Sequence, residues 1–211
     1  MLAMKATKGA VWLVFSRFFG RAVDLLTLLV LARVLTPADF GVTALALSLV
    51  VVVDTILEVP VVQALLRFKE IKPSHMDTGF TLGVLRGCAI GLFILAVARP
   101  FALFYGDPRL MPVILCIAIG PIARSLASPR MAIFAKELSF QQMFITEFAG
   151  KICAFIGAVT VVYLDGGYWA IVVNSVGSAV ASTIASYILA PYRPRLSLSQ
   201  FHLFSSFIGW F

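Results

Sequence analysis

The stretch DFGVTALALSLVVVVDTILEVPVVQAL, Asp39–Leu65, is an apolar run long enough to cross a bilayer, and it carries Asp54 and Glu58 inside it. A helix rises about 1.5 Å per residue, so ~20 apolar residues match the roughly 30 Å hydrocarbon slab. Five further stretches share this character: Gly9–Ala32, Met76–Ala98, Leu110–Ala132, Gln142–Tyr163 and Tyr168–Leu189. Within the six lie Arg17, Arg21, Asp24, Asp54, Glu58, Arg86, Arg124, Glu147 and Lys151. One charge facing lipid near mid-membrane costs about 2.5–3.5 kcal/mol, so this set would cost on the order of 25 kcal/mol. No marginally stable fold tolerates that. These groups are expected to face a shared interior, to pair with each other, or to sit close to an interface. The pattern predicts an all-α, polytopic membrane protein, a six-helix bundle around a polar lumen, as in a transporter.

Composition agrees. The chain of 211 residues is 61% hydrophobic and 13% charged, whereas a soluble domain carries about 25% charged residues. A net charge of +7 raises the question of nucleic acid. The basic residues lie singly or at the ends of apolar runs, without interleaved aromatics, so no nucleic-acid partner is expected. Cys88, Cys116 and Cys153 stand apart inside apolar segments, without metal-ligand spacing, and read as small packed thiols. The first apolar run follows Lys5 and Lys8 but is too long for a signal peptide, lacks a small-residue cleavage site and holds three charges. It is expected to remain as a helix.

The connecting segments alternate in charge. One set holds Lys5, Lys8, Arg67, Lys69, Lys72, Arg130, Lys136, Arg193 and Arg195; the other holds Arg33, Arg99 and Arg109. The positive-inside rule places the first set, and both ends of this chain, in the cytoplasm. Thr36-Pro37-Ala38-Asp39 is a helix start with a capping hydroxyl, a proline at the first position and an acid at the third. Lys72-Pro73-Ser74 opens another helix, while Gly106-Asp107-Pro108 and Asp165-Gly166-Gly167 are tight extracytoplasmic turns. Pro60 should kink its helix or end the regular part early.

The expected organisation is a six-helix lobe over 1–192, a cytoplasmic linker over 193–200 and the start of a second lobe over 201–211. Phe204-Ser205-Ser206-Phe207-Ile208-Gly209 repeats the register of Phe15-Ser16-Arg17-Phe18-Phe19-Gly20. Either this is chance similarity in phenylalanine-rich sequence, or a second half begins there, as in transporters built from repeats.

The intramembrane charges fall into groups. Arg17, Arg21 and Asp24 share one helix face, offering guanidiniums to a phosphate in a lumen, or an Arg–Asp pair between helices. Asp54 and Glu58 lie one turn apart, either as an H⁺ or Na⁺ coupling site or as partners of Arg17, Arg21 or Arg86. Glu147 and Lys151 are spaced for an intrahelical pair, with Lys151 otherwise a lumen cation. Arg86 and Arg124 have no acid at helical spacing and are the stronger phosphate candidates. Asp24 and Glu147 join the candidates for ion coupling. Gly79, Gly83, Gly87 and Gly91 make a flat face for a neighbouring helix. Asn174, Ser178, Ser182 and Ser186 make a polar stripe, for interhelical hydrogen bonds or for lining a sugar-bearing cavity.

His75 and His202 have no partners for nucleophilic or metal chemistry, and no Gly-rich loop carries a Walker lysine. No catalytic residue, metal site or cofactor is expected, and the chain does not read as an enzyme.

Leu31-Ala32-Arg33-Val34-Leu35-Thr36-Pro37-Ala38-Asp39-Phe40-Gly41 resembles the signature between the first two helices of the polysaccharide transporter family. These are Wzx-type flippases of lipid-linked oligosaccharides, within the multidrug/oligosaccharidyl-lipid/polysaccharide exporter superfamily. Gly9, Trp12, Ser16 and Gly20, then Asp54 and Val61-Val62-Gln63-Ala64-Leu65, are also similar. A departure is Asp54-Thr55-Ile56-Leu57-Glu58-Val59-Pro60, where relatives tend to have a glycine soon after the Asp. The resemblance implies two six-helix lobes around a cavity with alternating access. It implies an undecaprenyl-diphosphate-linked glycan as cargo, moved across the inner membrane for O-antigen, capsule or exopolysaccharide. Membrane lipid, a coupling H⁺ or Na⁺ and other polysaccharide-assembly membrane proteins are the implied partners. The rivals are a cation-coupled multidrug-type exporter, which should carry more acids than bases in its cavity, and a membrane-embedded glycan polymerase or ligase, which needs a large outer loop.

Overall fold

A computed structural model describes residues 2–67, 71–137 and 139–197. The repeat at Phe204–Gly209 and the start of a second lobe over 201–211 lie outside the described residues. Every regular element among the described residues is an α-helix: α1 (Leu2–Val34), α2 (Pro37–Ile56), α3 (Val61–Arg67), α4 (Pro73–Tyr105), α5 (Leu110–Ser125), α6 (Met131–Lys136), α7 (Phe140–Tyr163) and α8 (Trp169–Leu189). Among the described residues, four spans are long and apolar enough to cross a membrane: Pro37–Leu66, Pro73–Tyr105, Gln141–Tyr163 and Trp169–Leu189. Helix α5 is a shorter apolar helix of 16 residues. Helix α1 has 33 residues, with Arg17, Arg21 and Asp24 in its apolar part.

The helices pack in a row: α1 against α7, α7 against α8, α8 against α5, and α5 against both α2 and α4. Val50 and Val53 of α2, Ile90 and Ile94 of α4, and Ile114 and Ile117 of α5 form the centre of the largest apolar cluster. In lipid such packing gains little from excluding water, so close fit and hydrogen bonds hold the helices. The outer surface is correspondingly apolar, with Leu25, Leu29, Leu92 and Leu95 exposed. Cys88 and Cys153 share that outer surface, contrary to the expectation of packed thiols. Each lies on an outward face of its helix.

Helix α2 starts as its sequence dictates. The Thr36 hydroxyl accepts from the Asp39 N–H at 3.3 Å, and the Asp39 carboxylate accepts from the Thr36 N–H at 3.1 Å, a reciprocal cap with Pro37 in the first turn. Gly106, at φ +68, closes α4. In the turn that follows, hydrogen bonds from Arg109 hold the Asp107 carboxyl below its ordinary range.

Two helices break. Helix α2 ends at Ile56 and α3 resumes at Val61, as Pro60 requires. The second break corrects the expected continuous span Leu110–Ala132: α5 stops at Ser125 and α6 begins at Met131. Pro129 has no N–H to continue the ladder and biases Ser128 away from helical geometry. Neighbouring side chains satisfy the carbonyls released here. Thr183 of α8 donates to the Ala123 carbonyl at 2.9 Å, and Tyr187 donates to that of Leu126 at 2.8 Å. The Ser128 N–H donates to Ser186 at 3.0 Å. Interrupted helices survive at membrane depth only with such partners.

The glycine face of α4 lies on α5. A methyl at Gly83 would sit 2.3 Å from the Ser125 carbonyl oxygen, which belongs to backbone and cannot swing aside. Gly83→Ala should therefore cost about 2–3 kcal/mol, read as a lower unfolding midpoint of the full-length protein in detergent. Gly41, with nothing within 4 Å of such a methyl, is the control and should lose nothing. Equal midpoints for Gly83→Ala and wild type would mean that α4 and α5 do not meet this closely. Gly150 of α7 likewise admits α8, its missing methyl falling 2.8 Å from the Ser178 carbonyl oxygen. Part of the serine stripe thus lies at helix contacts.

Candidate functional site

Arg86 stands on α4 opposite the break in α2. Its Nε donates to the Leu57 carbonyl at 3.0 Å and its Nη2 to the Asp54 carbonyl at 3.2 Å. Both carbonyls lie in the last turn of α2, where intrahelical donors run out. The same Nη2 meets the Asp54 carboxylate at 2.5 Å. Arg86 is therefore both the cap of a broken helix and one half of an ion pair. The acid missing at helical spacing arrives from a neighbouring helix.

Arg124 sits in the last turn of α5, where a cation suits the helix dipole. It reaches the other oxygen of Asp54 at 3.4 Å, and half of its side chain remains exposed (52%). Asp54 thus bridges the two arginines, held tightly by one and loosely by the other.

Both helix breaks border one cavity of about 300 Å³. Glu58, Arg86 and Arg124 supply its charged lining, joined by Gln63, Ser125 and Ser128. Reading charges in the sequence finds the first three and misses the polar three. Gln63, Ser125 and Ser128 are unremarkable in an apolar run until the breaks bring them to one wall. Ser128 before Pro129 was the available signal, since an X-Pro step marks a helix end. Discontinuous helices whose freed backbone and charges meet at one cavity are the recurring way in which membrane carriers build a polar site.

The remaining charges gather elsewhere. Lys151 of α7 donates to the Asp24 carboxylate of α1 and, at 3.3 Å, to the Gly20 carbonyl. Gly20 leaves room for this reach, with the Lys151 stem packed where a side chain would stand. Lys151 therefore pairs between helices, and Glu147, one turn away, is exposed with no ion pair among the described residues. The favourable intrahelical spacing of Glu147 and Lys151 loses to Asp24. Arg17 and Arg21 are exposed on α1, also without an ion pair among the described residues. The nine charges thus form an α2–α4–α5 group at the helix breaks and an α1–α7 group that shares no residue with it. Among the described residues, no three His, Cys, Asp or Glu side chains gather in a way that could hold a metal ion.

These features define a polytopic helical membrane protein in which Asp54, Glu58, Arg86 and Arg124 collect where its helices are interrupted. The chain belongs to the polysaccharide biosynthesis protein family, which matches residues 30–211. It is similar to the succinoglycan biosynthesis transport protein ExoT of Rhizobium meliloti (strain 1021), 28% identical over 206 residues that cover 93% of this chain and 40% of ExoT. It is also similar to the lipopolysaccharide biosynthesis protein WzxC of Escherichia coli (strain K12), 22% identical over 204 residues, 94% of this chain and 41% of WzxC. The chain spans about two fifths of the length of these curated relatives. No solved structure matches it.

Proposed function

We propose that this chain is the N-terminal lobe of a carrier that moves a polyprenyl-diphosphate-linked oligosaccharide across the inner membrane, by alternating access between two lobes. The observation that carries the reading is Arg124: half-exposed, held by one long contact to Asp54, and lining a cavity at two helix breaks. A diphosphate entering that cavity would offer a doubly charged acceptor in place of a carboxylate already committed to Arg86. Charge-assisted bonds of this kind are the strong ones in a water-poor site. The polyprenyl tail would stay in lipid while the head group replaces its water shell with these donors, without which its transfer would be prohibitive.

Asp54 then has a second role. If both arginines turn to phosphate, Asp54 is left without a cation, and Asp54 with Glu58 would then take up H⁺ or Na⁺ as the cargo binds. The loops richest in Lys and Arg lie at the cytoplasmic end in this reading, so the two helix breaks and their cavity belong to the cytoplasmic half. A multidrug-type exporter fits less well, because the cavity lining carries two bases, Arg86 and Arg124, against one acid, Glu58.

The test is genetic and chemical. Cells lacking the full-length gene should lose surface polysaccharide and accumulate the lipid-linked oligosaccharide, facing the cytoplasm. Normal surface polysaccharide, or loss without that accumulation, would remove the reading.

A further inference from the structure

A second cavity borders the break between α5 and α6 at Arg130. It measures about 760 Å³ and is lined by Arg130, Arg193 and Arg195, with Asp77 as the one acid. Apolar residues such as Ile71, Met76 and Ile133 share the lining. No residue lines both this cavity and the one beside Arg124.

The segment that carries two of these arginines is fastened in place. Arg130 donates to the Pro191 carbonyl at 2.8 Å, and Ser128 donates to the Ala190 carbonyl at 2.9 Å. The Tyr192 hydroxyl donates to the Asp77 carboxylate at 2.5 Å, and the Ser197 N–H donates to Thr81 at 2.9 Å. Burial, and then the Asp77 carboxylate, push the Tyr192 phenol far above its ordinary value, so it stays a donor across the physiological range. Pro194 restricts Arg193 to extended backbone. The segment 191–197 is thus a strap tied to α4 and to the turn between α5 and α6, and Arg193 and Arg195 are presented on it without an ion pair among the described residues.

Charge and shape together point to one ligand chemistry. Three guanidiniums against one carboxylate, itself occupied by a tyrosine, leave the lining with an excess of two positive charges. Guanidinium forks fit phosphate oxygens in pairs, where lysines would act only as point charges. Arginines and apolar residues in one lining suit a group that is charged at one end and greasy at the other. Basic pockets between helices at the cytoplasmic side are places where anionic lipid head groups dock. We propose that this strap-bounded cavity is a second, non-transport site that binds a phosphate-bearing anion, with Arg193 and Arg195 as the phosphate ligands and Arg130 holding the strap.

The site stands or falls independently of the transport reading, because its test needs no transport. Full-length protein in nanodiscs of phosphatidylcholine alone is compared with protein in nanodiscs containing phosphatidylglycerol, and separately with protein given inorganic phosphate. The readout is the thermal unfolding midpoint. A rise with phosphatidylglycerol only identifies a lipid head group as the ligand, and a rise with inorganic phosphate identifies a free anion. In either case the Arg193→Ala/Arg195→Ala variant should need at least about tenfold more ligand for the same rise. Its midpoint in phosphatidylcholine alone should equal that of wild type, since neither side chain holds the strap. No rise with either ligand, or a rise that the double variant keeps in full, overturns the proposal.

Discussion

Full-length protein with Arg124→Ala should reach the membrane at wild-type levels and export no surface polysaccharide. Its guanidinium makes a single ion contact, 3.4 Å to Asp54, and half of it is exposed, so its removal leaves the packing of α5 intact. The loss falls on the cargo. A charge-assisted phosphate contact is worth about 1.5–3 kcal/mol, and several on one diphosphate act together. Arg86→Ala should behave differently. It would strip two carbonyls of α2 of their donor and leave Asp54 without its closer cation, so protein levels should fall along with export. Immunoblotting of membranes beside surface-glycan staining separates the two outcomes. Equal membrane levels for both variants would show that Arg86 does not brace the helix break, and export by Arg124→Ala would remove it from the cargo path. Sequence reading treats the two arginines alike; their geometry does not.

Asp54→Ala should be the most destabilising of the single substitutions at the site. The carboxylate lies between Arg86 and Arg124, with less than a quarter of it exposed. Removing one partner of a largely buried pair leaves an uncompensated charge and costs about 3 kcal/mol or more. Arg86 would keep its two carbonyl acceptors, which softens but does not cancel that cost. A double-mutant cycle resolves the bridge: Asp54→Asn combined with Arg86→Gln should show a coupling of about 1–3 kcal/mol, and combined with Arg124→Gln a markedly smaller one. Unfolding of the full-length protein in detergent provides the readout. Equal couplings to both arginines would contradict the asymmetric bridge.

Four of the six expected spans were legible because continuous apolar runs leave a helix as the only way to satisfy backbone groups in lipid. Thr36-Pro37-Ala38-Asp39 and Pro60 were legible too, since capping and proline act locally. The break at 126–130 was hidden within Leu110–Ala132 because hydropathy outvoted Ser128-Pro129. What sequence could not give is which charges meet. Helical spacing sees only partners on the same helix, so it favoured Glu147 for Lys151, whereas Asp24 on α1 takes that role. It likewise left Arg86 and Arg124 without an acid on their own helices; Asp54, one of the partners the sequence offered to Arg86, lies between both once α2, α4 and α5 pack. The polar wall of Gln63, Ser125 and Ser128 exists only because two helices break side by side.

The most direct measurement uses full-length protein reconstituted into liposomes with a labelled polyprenyl-diphosphate oligosaccharide on one leaflet. Lectin access to the opposite leaflet reports transfer. Wild-type protein should deliver the label across, and Arg124→Ala protein should leave it where it began. Equal transfer by the two proteins, or none by wild type, would contradict an arginine-lined route for the diphosphate through this lobe.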